Sequence, residues 1–272
     1  MLGAIIGDIA GSVYEFSSIK TKEFPLFGDW QGHGCRFTDD SAMTLAVAGA
    51  LLEAAGEEGG LSACTVRWMQ RVGRKYPDAG YGGTFRRWLQ AGDPKPYHSY
   101  GNGAAMRVSP AAWAAGSLEE ALQNADALTA VTHDHPEGLK GARATAACVY
   151  LARTGESKET IRDHVLAHYY PLAETLAEIR PGYRFDVTCQ GSVPQAIQAF
   201  LEAESFEAAI RNAVSLGGDS DTQAAIAGSI AGPYFGIPDA LRERALAFLP
   251  EDLKAVLLAF EERFGANKPP AG

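Results

Sequence analysis

Two short runs, Thr38-Asp39-Asp40 and Asp219-Ser220-Asp221-Thr222, set paired carboxylates beside hydroxyls where a loop turns into a long apolar segment. One aspartate at a helix start is ordinary, because it satisfies free amides and suits the helix dipole by ~1 kcal/mol. A second in the same turn adds repulsion unless a cation neutralises it. Hard oxygen donors of this kind suit magnesium or manganese rather than zinc. Doubled caps with a spare carboxylate in solvent would explain either run alone better than both together.

Other residues are weaker on their own. Glu15 is the only carboxylate from Gly11 to Lys22, after an apolar, helix-like opening and before a polar loop. It could complete a metal shell or deprotonate a water, or be a solvated surface group. Asp8, inside GAIIGDIAG, reads as a buried acid with a structural hydrogen-bond role and is not assigned to the metals. Ser99-Tyr100-Gly101-Asn102-Gly103 enters a short helical stretch, a geometry that offers backbone amides to a diphosphate. Gly80-Tyr81-Gly82-Gly83 has the same form, although any tight turn needs such glycines. His133 and His135 lie close together, but no cysteine or third histidine is near in sequence for zinc and Pro136 opens the next helix. They read better as hydrogen-bonding partners of a phosphate or ribose hydroxyl. Tyr81, Tyr100, Phe16 and Trp30 could stack on a base or plug the core.

The elements that must position these groups are helices. Segments 38–55, 62–75, 117–131, 138–153, 192–203, 205–215, 221–235 and 249–264 carry apolar residues at three- and four-residue intervals, and strands are nearly absent. The fold class is therefore all-α. The Ala/Gly/Ser texture of 224–232 marks a helix buried on all sides, at the centre. With 272 residues, 46% of them apolar, the chain fills one core, giving a single domain, 1–272, with a frayed tail from about 266. The net charge of -9 (24 basic against 33 acidic residues) and the lack of any basic run disfavour nucleic acid, so a phosphate-bearing ligand would need metal ions or backbone amides. The four cysteines lack paired spacing and read as reduced thiols. The apolar opening has no basic leader, and no stretch reaches the ~18 uncharged apolar residues of a membrane span. The expectation is a cytoplasmic protein, not membrane-bound, and a monomer.

Taken in order, GxxxGDxxGSxYE, FTDDS, GYGG, SYGNGAAMRVSP, THDHPEG and GGDSDTQAAIAGSIAG resemble the motifs of the ADP-ribosylglycohydrolase family, relatives of dinitrogenase-reductase-activating glycohydrolase. The resemblance covers nearly the whole chain, and FTDD paired with GGDSDT is its specific part. It implies a compact orthogonal helical bundle with two magnesium or manganese ions in a central cleft. The implied reaction is hydrolysis of the N- or O-glycosidic bond between ADP-ribose and a modified protein or small molecule. By matched motif, Thr38, Asp39, Asp40, Asp219, Asp221 and Thr222 resemble the metal ligands, and Glu15 a mobile acidic ligand on the flap. Ser99, Tyr100, Gly101 and Asn102 match a loop holding the diphosphate and adjoining ribose, His133 a phosphate contact, and Gly82 or Gly83 another backbone contact. Glu15 is the first candidate for the base that activates water, with Asp40 as a second catalytic carboxylate. The cations would orient the distal ribose and steady the charge that develops as the leaving group departs, before water attacks an oxocarbenium-like centre. Asp134, His135 and Pro136 fill their loop differently from the animal serine-specific branch, and the flap from Ser17 to Phe37 is this chain's own, so the linkage stays open. A dinuclear-metal nucleotide phosphoesterase and a non-catalytic ADP-ribose reader are the competing readings. Intact acidic clusters disfavour the reader.

Overall fold

A computed structural model describes residues 1–54 and 60–265; the tail expected to fray lies outside them. In chain order the elements are α1 (Leu2–Gly11), a two-stranded hairpin β1 (Asp29–Trp30) and β2 (His33–Gly34), α2 (Asp39–Ala54), α3 (Gly60–Lys75), α4 (Gly83–Gln90), and the short α5 (Gly103–Met106) and α6 (Ser109–Trp113). There follow α7 (Leu118–Thr129), α8 (Pro136–Arg153), α9 (Lys158–His168), α10 (Leu176–Gly182), α11 (Cys189–Leu201), α12 (Phe206–Val214), α13 (Ser220–Phe235), α14 (Asp239–Leu246) and α15 (Glu251–Phe264). The fold is all-α, as expected. No helix among the described residues is long and apolar enough to cross a membrane.

Many helices start where a hydroxyl can accept a free amide. Ser117, Ser157, Thr175, Thr188 and Ser205 cap α7, α9, α10, α11 and α12 in this way. The cap at Thr188 is why α11 begins at Cys189, ahead of the segment 192–203 expected from periodicity. α9 and α14 each bury only two residues, Ile161 with Val165 and Leu241 with Ala245, too few to leave an apolar stripe in the sequence.

α13 is the central helix, buried from Ser220 to Pro233, and α8, α11 and α12 pack around it. Its tightest partner is α1, buried along its whole length. The glycines of α1 recur every four residues and so share one face. A Cβ at Gly3 would lie 2.0 Å from the Gly228 carbonyl oxygen, one at Gly7 would lie 2.0 Å from that of Ala224, and one at Gly11 would lie 2.4 Å from Asp221 Cα. Only backbone against backbone fits there, so α1 fixes where α13 begins.

Candidate active site

Three helix ends converge through two locks. The first is the glycine stripe, which brings the start of α13 against the end of α1. The second is Asp8, which accepts hydrogen bonds from the Thr38 amide (2.9 Å) and hydroxyl (2.6 Å), the Ser41 amide (3.0 Å) and the Ser41 hydroxyl. Asp8 thereby pins the start of α2 to α1, the structural role expected of it. Asp39 and Asp40 then open α2, while Asp219 sits at the N-cap of α13 and Asp221 in its first turn. Asp219 makes no capping bond; its carboxylate accepts instead from the Asn102 side-chain amide at 2.6 Å. The doublets are therefore not simply doubled caps.

Carboxylate oxygens of Asp8, Asp40 and Asp221 lie within 4.8 Å of one another, and those of Glu15, Asp219 and Asp221 form a second such group sharing Asp221. Burial pushes Asp40 and Asp221 well above the usual carboxylate range, reinforced by Asp8 for Asp40 and by Asp219 for Asp221. Asp219 is raised mainly by burial, and Asp39 rises to about 7 through burial and then the charge of Asp8. Glu15, half-buried, also rises to about 7, through burial and the charge of Asp219. So many acids together, all held toward protonation, form a site that a cation would relieve. One atom tests the fit directly. Asp40 Oδ1 is buried with no hydrogen-bond partner, although Thr222 donates to Asp40 Oδ2 at 3.3 Å. An all-oxygen set with an unshared buried acceptor fits a hard divalent cation.

The flap carrying Glu15 is stitched down at several points. The Gly218 amide donates to Ser18 Oγ (2.9 Å), and the Lys20 ammonium donates to the carbonyls of Tyr183 (2.8 Å) and Leu216 (2.5 Å). Trp30, on the hairpin, donates to Ser17 Oγ (3.2 Å). Gly217 and Gly218 both hold positive φ, at 71° and 73°, which lets the chain turn under Ser18 into Asp219.

The opposite wall is the loop Ser99–Asn102. The Asn102 amide donates to Val187 O (2.8 Å), the Cys189 amide to Tyr100 O (2.9 Å), and Gly101 bridges to Thr188. Behind it Arg107 and His133 are both buried. Arg107 Nη2 lies 2.6 Å from Thr132 Oγ1 and 3.2 Å from His133 Nδ1. A guanidinium only donates, so Nδ1 accepts and the ring carries its proton on Nε2. Burial and the Arg107 charge hold His133 well below its ordinary pKa, keeping it neutral. Nε2 faces the loop, since a Cβ at Gly103 would meet it at 3.5 Å. His135 instead caps α8, its Nδ1 accepting the Glu137 amide at 3.1 Å.

These groups enclose a pocket of about 700 Å³. Glu15, Asp39, Asp40, Asp219, Asp221 and Thr222 line one side; Ser99, Tyr100, Gly101, Asn102 and His133 line the other, with Gly82 and Gly83 at the edge. Thr38 is the one expected site residue that does not line it; it lies beneath, its hydroxyl given to Asp8. Sequence reasoning missed Arg107, a lone cation inside the apolar run AAMRVSP, which was a legible sign of a buried partner. It also missed Phe185, Val187 and Thr188, which line the mouth.

The pattern described as ADP-ribosylglycohydrolase matches residues 1–269. ADP-ribosylhydrolase ARH3 of Xenopus tropicalis is 30% identical over 305 residues, covering 87% of this chain and 86% of that protein. ADP-ribosyl-[dinitrogen reductase] glycohydrolase of Rhodospirillum rubrum is 26% identical, covering 88% and 85%. A solved structure described as an ADP-ribosylglycohydrolase-related protein complex superposes with a TM-score of 0.69 at 26% identity, covering 96% of this chain and 95% of that one. The chain belongs to the ADP-ribosylglycohydrolase family.

Proposed function

We propose that this protein is a magnesium-dependent hydrolase that cuts the N- or O-glycosidic bond between ADP-ribose and a modified target, releasing ADP-ribose. The observation that carries the reading is the pair of carboxylate groups sharing Asp221, which line one pocket together with the loop Ser99–Asn102 and His133. The pocket is then the metal-lined cleft of a single domain, 1–272. Glu15, Thr38, Asp39, Asp40, Asp219, Asp221 and Thr222 would hold two magnesium ions, with manganese as a substitute. When bound, these supply Lewis acidity and a template for the distal ribose hydroxyls.

The chain's own groups do the rest. Ser99, Tyr100, Gly101 and Asn102 form the wall against which the diphosphate and adjoining ribose lie, the backbone at Gly82 or Gly83 adds a further contact, and His133 donates from Nε2 to a phosphate oxygen. Glu15, on the flap at the open edge of the acidic side, takes the proton from the attacking water; Asp40 holds the floor beneath the anomeric centre. A relative named ADP-ribosylarginine hydrolase Tri1, from Pseudomonas putida and 27% identical over 87% of this chain and 70% of its own length, makes arginine the first linkage to try.

The test is release of free ADP-ribose from arginine-linked and serine-linked ADP-ribosyl peptides, with magnesium and again with excess chelator. Release that chelator abolishes is the expected result. Phosphate or AMP as product would make the protein a phosphoesterase, and metal-dependent ADP-ribose binding without release from any linkage would make it a reader.

A further inference from the structure

The flap-side lip of the pocket differs from its interior in both polarity and charge. Phe16 is 82% exposed and stacks on Phe185, itself 49% exposed, with ring centroids 5.9 Å apart and planes 27° from parallel. Val187, also exposed, extends the patch along the mouth. A contiguous apolar patch rimming a pocket marks a contact surface.

Beside it stand Lys20, Arg180 and Arg184. They are close enough that the two arginines, after burial, depress the Lys20 ammonium. None of the three forms an ion pair with an acid among the described residues. Lys20 is spent on backbone carbonyls, Arg180 gives only Nε to Ser215 Oγ (2.9 Å), and Arg184 is exposed. The acid that interrupts the patch, Asp186, is turned inward: it accepts the Thr188 amide and hydroxyl (2.7 and 2.6 Å), and its charge acts on Asp219. In a chain of net charge -9, this lip gathers three cations at the surface beside an acidic pocket.

Resting on the hydrolase reading, we propose that the lip formed by Phe16, Lys20, Arg180, Arg184 and Phe185 seats the polypeptide that carries the ADP-ribose. It favours targets with acidic residues flanking the modified side chain and an apolar side chain to lie on the Phe16–Phe185 pair. Three cations suit a short run of carboxylates. A polynucleotide would draw its affinity from roughly six to ten phosphate contacts, more than the lip offers.

The experiment compares kcat/KM for peptides with one ADP-ribosyl linkage flanked by acidic, neutral or basic residues, with the ADP-ribosylated free amino acid as minimal substrate. The acidic peptide should exceed the basic one by roughly tenfold at low salt and lose most of that lead at high salt, as for partly exposed charge pairs. Arg184→Glu should reverse the order, Arg184→Gln should fall between, and both should cleave the minimal substrate at the parent rate. Equal rates on the three peptides, or an acidic preference untouched by Arg184→Glu, would overturn the proposal. A single-stranded oligonucleotide that displaces the peptide while flanking acids give no advantage would reassign the lip to nucleic acid. Failure to cleave even the minimal substrate would count against the hydrolase reading, because that substrate bypasses the lip.

Discussion

The floor of the pocket is built from helix ends sealed against one another, whereas its lip is built mostly from segments between helices, Arg180 of α10 excepted, with large side chains left in water. At the floor Asp8, Asp40, Asp219 and Asp221 are each at most 5% exposed. At the lip Phe16, Tyr100 and Phe185 are each close to half exposed or more. The floor has one geometry available, which suits chemistry that tolerates little displacement. The lip can change residue by residue without disturbing the floor, which suits choice among targets.

The sharpest way to break this contrast is to place one methyl-bearing side chain in each region. Gly7→Val puts Cβ 2.0 Å from the Ala224 carbonyl oxygen. It should cost at least about 3 kcal/mol or prevent folding, the upper end of overpacking, as read by urea denaturation. Gly83→Ala, with nothing within 4 Å of the added Cβ, should leave the urea midpoint where it is. Equal behaviour of the two would dissolve the distinction between floor and rim.

Next in size is Glu15→Gln, which should lower turnover by roughly 10²- to 10⁴-fold while sparing ADP-ribose affinity, the range of a lost general base. Near-normal turnover would remove Glu15 from that role.

The smallest effect sharpens the electrostatic half of the comparison. Glu15 and Asp39 are raised to about 7, above their unfolded values, so the metal-free fold binds protons more tightly than the unfolded chain does. Their contribution to stability is present below the ordinary carboxylate pKa of about 4 and is lost as pH rises through about 7. Melting in chelator should therefore fall between pH 5 and pH 8, and added magnesium should recover the loss most at pH 8. A flat profile in chelator would mean that the acids are not crowded, and Arg184→Glu at the lip should leave the slope unaltered.

What could be read from the residues alone follows the same division. The doublets at 38–40 and 219–222 were legible because two carboxylates in one helical turn conflict unless something binds them, and the central helix because Ala and Gly leave room only for burial. α1 was readable as an apolar opening but not as a delimited helix, since an element buried on all sides has no polar face to mark its period. Glu15 carried little meaning by itself; its weight comes from Asp219 and Asp221, far along the chain, lying within reach of its carboxylate. Of the lip only Phe16 and Tyr100 stood out, as loop aromatics that could stack or plug the core; the surface itself did not. Phe185 meets Phe16 only because Gly101 bridges to Thr188 and the flap is tied to Gly218, contacts between distant segments that leave no local pattern.

The glycine contact between α1 and α13 also sets an order of events. α1 is made well before α13, whose backbone groove receives it, so an apolar segment must wait for the intervening helices to be synthesised before it can be covered. Contacts of such sequence separation form slowly because the loop between them must close first. The acidic floor, whose parts are brought together by that contact, is thus assembled late, and any cation it takes would meet a finished site rather than a growing chain.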